Sequence, residues 1–353
     1  MLALAVALAL TAAPPAPPRA GSGGRPAPPP LPKVEVAHEH DLSTPTGLVA
    51  LTWPAITYDR ARSETYVVAD GFVRIFNAAG MEIHRFGDDG ALGSVSRVAI
   101  LDDGDIIALA RVNDAPVVLR CDYRGELVVR LGLTGLPPGF TDFQPDQLVY
   151  RNGRLYFAEL GRMRVVVTDP DGTYRQAFRL DDLLRRAVPP DAERRPSASI
   201  DGFGVDSAGN LLITMSTMFA AAVVNPSGGV RLFGTRGSTP GRFNNVGGID
   251  ADEQGNIYVT DRLRSVVSVW NRELQHLGDF GGARERAAEA IQADPKRGQG
   301  WSARGIARYY LGDHAGALAD MDEAVRLQAN SYHSHHTRGT TRLWLKDFAG
   351  ALE

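Results

Sequence analysis

Short apolar runs separated by polar turns recur through the middle of the chain. One set reads Tyr66-Val67-Val68-Ala69-Asp70, Asp105-Ile106-Ile107-Ala108-Leu109, Arg154-Leu155-Tyr156-Phe157-Ala158, Asn210-Leu211-Leu212-Ile213-Thr214 and Asn256-Ile257-Tyr258-Val259-Thr260. A second set follows it unit by unit: Val73-Arg74-Ile75-Phe76, Val118-Leu119-Arg120-Cys121, Val165-Val166-Val167-Thr168, Ala222-Val223-Val224 and Val267-Ser268-Val269-Trp270. Each later run is followed by Asn77, Asp122, Asp169, Asn225 or Asn271, at steps of 45, 47, 56 and 46 residues. Apolar runs of this length, bounded by Gly, Asn and Asp, predict strands. Asp102-Asp103-Gly104, Asn152-Gly153, Ser207-Ala208-Gly209 and Glu253-Gln254-Gly255 stand before members of the first set. There Gly supplies positive φ and Asp or Asn bonds to nearby backbone. The long step holds an insert from Asp181 to Pro196, read as a basic loop carrying Arg185, Arg186, Arg194 and Arg195.

A period in the mid-forties with about four strands per unit predicts sheets that bury both faces only by stacking radially, as propeller blades do. The first set is read as the inner strands of these blades. The fifth unit is the most regular: Gly241-Arg242-Phe243, then Gly248-Ile249-Asp250-Ala251-Asp252-Glu253-Gln254-Gly255-Asn256-Ile257-Tyr258-Val259-Thr260-Asp261, then Val267 and Val269. The fourth repeats part of it in Gly204-Val205-Asp206 and Gly209-Asn210. These residues resemble the NHL-repeat family over about Ser43 to Gly282. That resemblance implies a six-bladed β-propeller used mainly for ligand or protein binding. Five units are present, and a strand around Gly47 to Thr52 is expected to contribute to closing the ring.

A different period follows. Leu277-Gly278-Asp279-Phe280 recurs as Leu311-Gly312-Asp313-His314 and as Leu345-Lys346-Asp347-Phe348, 34 residues apart each time. Trp301, Gly305, Ala317, Met321, Ala324 and Leu327 fall at helical spacing, and the small residues among them let helices approach. This stretch resembles tetratricopeptide repeats: helix A from Gly300 to Leu311, helix B from His314 to Gln328, and another helix A from Tyr332 to Leu345. Ala283 to Ala293 reads as helix B of a preceding unit. One whole and two partial repeats fall short of the roughly three needed to bury a continuous core. An incomplete ring meeting an incomplete array at a shared Leu277–Phe280 is read as a truncated or fused chain. The expected fold class is therefore mainly β: an NHL-type propeller of five recognisable blades, followed by a short α-helical segment.

The ends complete the division. Leu2 to Ala12 is apolar but for one Thr, which fits the hydrophobic region of an export signal over residues 1–20. Nine prolines between Pro14 and Pro32 make a linker, assigned to residues 21–42. The propeller is assigned to residues 43–282 and the helical segment to 283–353. Export to the periplasm or outside the cell is the expected location, with no stable membrane span. Net charge is −3 and hydrophobic content 44%, as in ordinary soluble proteins, so no global basic field recruits nucleic acid. The single cysteine, Cys121, excludes an intramolecular disulfide and reads as buried filler.

Few residues carry candidate chemistry. His38-Glu39-His40 would share a strand face suited to a metal, but the third and fourth ligands are missing, and a solvated leader is preferred. His333, His335 and His336 read as exposed helix residues, and His84 and His276 as isolated strand or turn residues. The acidic groups Asp102, Asp103, Asp105, Asp250, Asp252 and Glu253 lack the EF-hand spacing and read as turn caps. The chain has no phosphate-binding Gly-x-x-x-x-Gly-Lys loop, no Gly-x-Ser-x-Gly elbow and no Cys-x-x-Cys. No catalytic residue, cofactor or metal ligand is assigned. The expectation is a non-catalytic binding or scaffolding protein with a protein partner, in which Arg185, Arg186, Arg194 and Arg195 form a possible surface for an acidic one. A metal-dependent lactonase-like or lyase-like enzyme is the alternative. An RNA-binding propeller is disfavoured by net acidity and the export signal.

Overall fold

Each unit of the longer period folds into one sheet. The computed structural model describes residues 42–44, 47–48, 54–187, 200–281, 291–292, 294–310, 313–328, 332–347 and 350. A two-stranded hairpin, β1 (Ser43–Thr44) and β2 (Gly47–Leu48), precedes five four-stranded antiparallel sheets. Blade one is β3 (Ala55–Asp59), β4 (Glu64–Ala69), β5 (Phe72–Phe76) and β6 (Glu82–Phe86). Blade two is β7 (Ser94–Ile100), β8 (Ile106–Val112), β9 (Ala115–Cys121) and β10 (Leu127–Leu131). Blade three is β11 (Gln147–Arg151), β12 (Arg154–Glu159), β13 (Arg164–Thr168) and β14 (Tyr174–Arg179). Blade four is β15 (Gly202–Val205), β16 (Leu211–Met215), β17 (Ala220–Val224) and β18 (Val230–Phe233). Blade five is β19 (Val246–Ala251), β20 (Ile257–Asp261), β21 (Val266–Trp270) and β22 (His276–Phe280). Every sheet runs in sequence order, which makes a five-bladed β-propeller.

The apolar runs are the two middle strands of each blade. β13, β16 and β17 are buried at every position because sheets cover both their faces and strands both their edges. The runs read as inner strands are thus second from the axis. The first strands β3, β7, β11, β15 and β19 face the axis instead, and their half-polar sequences hid them. The Asn and Asp after each third strand close the outer turns. Asn77 Oδ1 accepts from Ala79 N and Met81 N at 3.0 Å, Asp122 Oδ1 from Arg124 N and Glu126 N at 2.9 Å, and Asn271 Oδ1 from Gln275 N at 2.8 Å. Asp206 and Asp252 do the same at inner turns, bonding Asn210 and Asn256 through N and Nδ2. Gly255, at φ +84°, makes the last of these turns possible.

Adjacent blades meet through aliphatic seams. Tyr156, Val165, Phe178, Val205, Leu211 and Ile213 belong to the cluster between blades three and four. The described start of the insert joins this seam, which corrects the loop reading over 181–187; the rest of it lies outside the described residues. Its first part is the helix α1 (Leu180–Ala187), whose Leu180 and Leu184 are fully buried. Burying one such leucine is worth about 1.5–3 kcal/mol. Asp181 and Asp182 sit in its first turn and Arg185 and Arg186 in its last, the order the helix dipole favours.

A six-bladed ring is not built from the described residues. Ser43 pairs with Met81 beside the outer strand of blade one, and Leu42 covers Val67, Ala69 and Phe76. Gly47–Leu48, the described part of the segment expected to close the ring, pair with Ser43–Thr44.

Among the described residues, three further helices can be delimited: α2 (Gly298–Tyr310), α3 (His314–Leu327) and α4 (Tyr332–Trp344). A Cβ on Gly305 would stand 2.7 Å from Met321 Cε and 3.2 Å from Ala317 O, so the small residues permit the close approach of α2 and α3. Asp320, fully buried, accepts from Arg304 Nε and Nη2 at 2.9 and 2.8 Å and from Arg308 Nη1 at 2.9 Å. The preceding helix expected over Ala283 to Ala293 lies outside the described residues except at 291–292.

Candidate functional site

The first strands of all five blades surround a funnel of about 800 Å³. Gln147 and Arg151 stand four residue steps apart along β11, about 13 Å at the usual strand rise, and so set two levels within it. Close packing of the first strands requires glycine at two places. A Cβ on Gly202 of β15 would lie 2.2 Å from the Gly247 carbonyl of β19, and a Cβ on Gly204 of β15 would lie 2.6 Å from the Ile249 carbonyl of β19.

At the Arg151 level, charges meet charges. Arg60, from blade one, contacts Glu253 of blade five, and Arg151 Nη1, from blade three, lies 3.6 Å from the same carboxylate. Arg151 Nε also donates to Val205 O of blade four at 3.2 Å. Asp102 accepts from the Tyr150 hydroxyl at 2.7 Å, and burial together with that carboxylate pushes the phenol up to about 12. Asp250 touches the funnel's solvent while the walls crowd it. This crowding raises its carboxyl above the ordinary aspartate value, against the pull of Arg151, Arg60 and its hydrogen bond from Ala251 N.

At the Gln147 level the arrangement differs. A β-bulge interrupts the pairing of β7 with β8 between Val95 and Arg97, and it aims Arg97 at the funnel. Arg97 Nε donates to Gln147 Oε1 at 2.8 Å and Nη1 to Ser96 O at 2.7 Å. Asp146 accepts from Leu160 N at 3.1 Å, and burial raises its carboxyl against the pull of that bond, of Arg97 and of the Gln147 side chain. Exposed Ile56 and Tyr58 of β3 add an apolar wall.

The residues singled out from sequence are mostly elsewhere. Arg185 pairs with Asp181 at 2.8 Å along α1, and Arg186 Nε donates to Asp182 O, so both serve their own helix. Arg194 and Arg195 lie outside the described residues, as do His38 and His40 and residues 1–41 as a whole. Asp252 caps a turn and also accepts from the Tyr258 hydroxyl at 2.9 Å, while Asp103 and Asp105 hold Arg120. Asp250 lines the funnel and Glu253 contacts Arg60 and Arg151, which line it, beyond a turn-capping role. Cys121 is buried between blades one and two, and burial pushes its thiol up to about 11. His84 Nε2 meets Arg124 O at 2.8 Å and His276 meets Asp279 at 2.9 Å. His333 stands on α4 with His335 and His336. Among the described residues no group of three His, Cys, Asp or Glu side chains stands close enough to hold a metal ion. Sequence reasoning missed Arg60, Arg97 and Arg151 because each sits alone in a strand or turn, outside any motif.

No protein-family model matches the chain, and no curated protein matches it. Solved structures resemble it in shape. The virginiamycin B lyase of Staphylococcus aureus shares 16% identity at a TM-score of 0.44, over 64% of this chain and 69% of that one. A chain of a nidogen/laminin complex shares 18% at 0.45, over 64% and 78%. Regucalcin of Agrobacterium tumefaciens, a calcium-binding protein, shares 13% at 0.45, over 67% and 76%. The propeller assignment rests on this chain's own strand pairing. No helix among the described residues is long and apolar enough to cross a membrane.

Proposed function

We propose that this chain is a non-catalytic binding protein whose central funnel takes a small molecule. The observation that carries the reading is the funnel itself: about 800 Å³, walled by all five blades, with an apolar side at Ile56 and Tyr58 and guanidiniums at two levels. Concave sites of this size with few convergent polar groups are typical ligand pockets. The three helices, read as a tetratricopeptide-like segment, would present a second surface to a protein partner. The apolar run from Leu2 to Ala12 places the protein outside the cytoplasm in this reading.

Asp250 favours a second reading, a lyase-like or lactonase-like enzyme, since a carboxyl raised by its surroundings in a cleft is a candidate proton carrier. One experiment separates the two. A small-molecule panel screened by ligand-observed NMR against the full chain and Tyr58→Ala should give binders that weaken in the variant and emerge chemically unchanged. Conversion of lactone or cyclic ester members of the panel, lost in Asp250→Asn, would replace the binding reading with the enzymatic one.

A further inference from the structure

Arg97 is the funnel's unbalanced charge. A guanidinium stays protonated in proteins and carries five N–H donors. Two of those on Arg97 are used, by Gln147 Oε1 and Ser96 O, and both acceptors are neutral. Among the described residues no carboxylate lies within 4.0 Å of it, whereas Arg60 and Arg151 share Glu253, Arg62 pairs with Asp59 and Arg164 with Glu159 and Asp142. Burial works against its charge, and Asp146, the acid whose field reaches it, makes no ion pair with it. A partly desolvated cation without a partner costs stability. Yet the protein builds this one deliberately into position, with a bulge to aim it and two hydrogen bonds to hold its plane. Arg97, Ile56 and Tyr58 all line the cavity.

We propose that the funnel binds an organic oxyanion, a carboxylate or phosphate on an apolar body, with the oxyanion on the free N–H groups of Arg97 and the body against Ile56 and Tyr58. The proposal rests on the funnel being the ligand site and adds the chemical class of the ligand. Orientation by Gln147 and Ser96 lowers the ordering cost of such a pair, and a fork of donors matches two oxygens at once.

The test uses the full chain and three aromatic probes of similar size at constant ionic strength: benzoate, phenyl phosphate and neutral benzyl alcohol. Wild type should bind at least one anion about ten-fold more tightly than the alcohol, the scale of one charge-assisted pair. Whichever anion wins assigns carboxylate or phosphate. Arg97→Met should abolish the preference without lowering the melting temperature in anion-free buffer, because it removes an unpaired charge. Arg97→Gln gives a second, polar variant should the first fold poorly. Equal affinity for anions and alcohol in wild type, an anion preference that survives in both variants, or no anion binding at all would each overturn the proposal. Alcohol binding that weakens in Tyr58→Ala under those outcomes would leave the funnel as ligand site and reject only the oxyanion. Loss of that dependence on Tyr58 would reject the funnel as well.

Discussion

Leu277-Gly278-Asp279-Phe280 and its echoes 34 residues apart begin alike and end in different structures. The first copy lies in the outer strand β22, paired with β21. There Asp279, 12% exposed, meets Arg264, 4% exposed, along with His276. The second and third copies turn at the ends of helices. Asp313 N donates to Arg308 O at 3.0 Å, and Asp313 Oδ1 accepts from Gly316 N at 2.9 Å. Asp347 repeats both contacts with Arg342 O and Gly350 N, at 2.9 and 3.0 Å. These two aspartates are 53% and 50% exposed. The same residue type is a buried counter-ion in one place and a solvated helix cap in the others. A tetrapeptide therefore carries little of its own fate; the surrounding sheet or helix pair sets the dielectric in which its carboxylate works.

The contrast is sharpest on removal of the carboxylate. Asp279→Ala leaves Arg264 buried and unpaired and should cost about 3–5 kcal/mol, measured by urea unfolding of the full chain. A loss under about 1 kcal/mol would show that this pair is solvated like the others.

Acid should weaken the same pair. Burial alone would raise the Asp279 carboxyl, but hydrogen bonds from His276, Arg264 and Ser268 outweigh it and hold the group below the ordinary aspartate range. A carboxyl lowered by folding contributes stability in full above its unfolded value, about 3.9, and loses it as pH falls through the folded value. The gap between wild type and Asp279→Asn should therefore narrow as pH drops below about 4. A gap that stays constant to about pH 2 would assign the cost to shape rather than charge.

Helix capping gives the smaller effects. Asp313→Ala should cost about 1 kcal/mol and Asp313→Asn almost nothing, since Asn caps as well as Asp. Limited proteolysis of the helical segment would report both. Asp347→Ala should cost about 1 kcal/mol or less, since its cap contact with Gly350 N is of the same kind. If Asn at 313 proves as costly as Ala, charge matters there too and the comparison with Asp279 fails.

The legible parts of the fold share a physical cause. Middle strands such as β12 and β16 are apolar along their length because protein surrounds them, so composition alone marked them. The outer turns were legible because an Asn or Asp bonds to a backbone two to four residues away. First strands were not, because one side of each is wet: β3 alternates exposed Ile56 and Tyr58 with partly buried Ala55 and Thr57. The helix α1 had its signal in Leu180, Leu183 and Leu184, at the spacing of one helical face, but the arginines drew the reading away from it. Of the funnel's charged groups, Asp102 and Asp250, with Glu253 beside them, drew notice in the sequence, as turn residues.

The sequence by itself determined what short-range contacts can encode: the strand-and-turn period, the Asx turns and the 34-residue recurrence with its aspartate caps. Only the tertiary structure decided which strands face water, which copy of Leu-x-Asp enters a sheet, and which arginine goes without a counter-ion. Those outcomes depend on burial and charge pairing between residues far apart in the chain, as with Arg97 and Gln147, 50 residues apart. Desolvation and Coulomb energies are properties of that assembled environment, and no local pattern carries them.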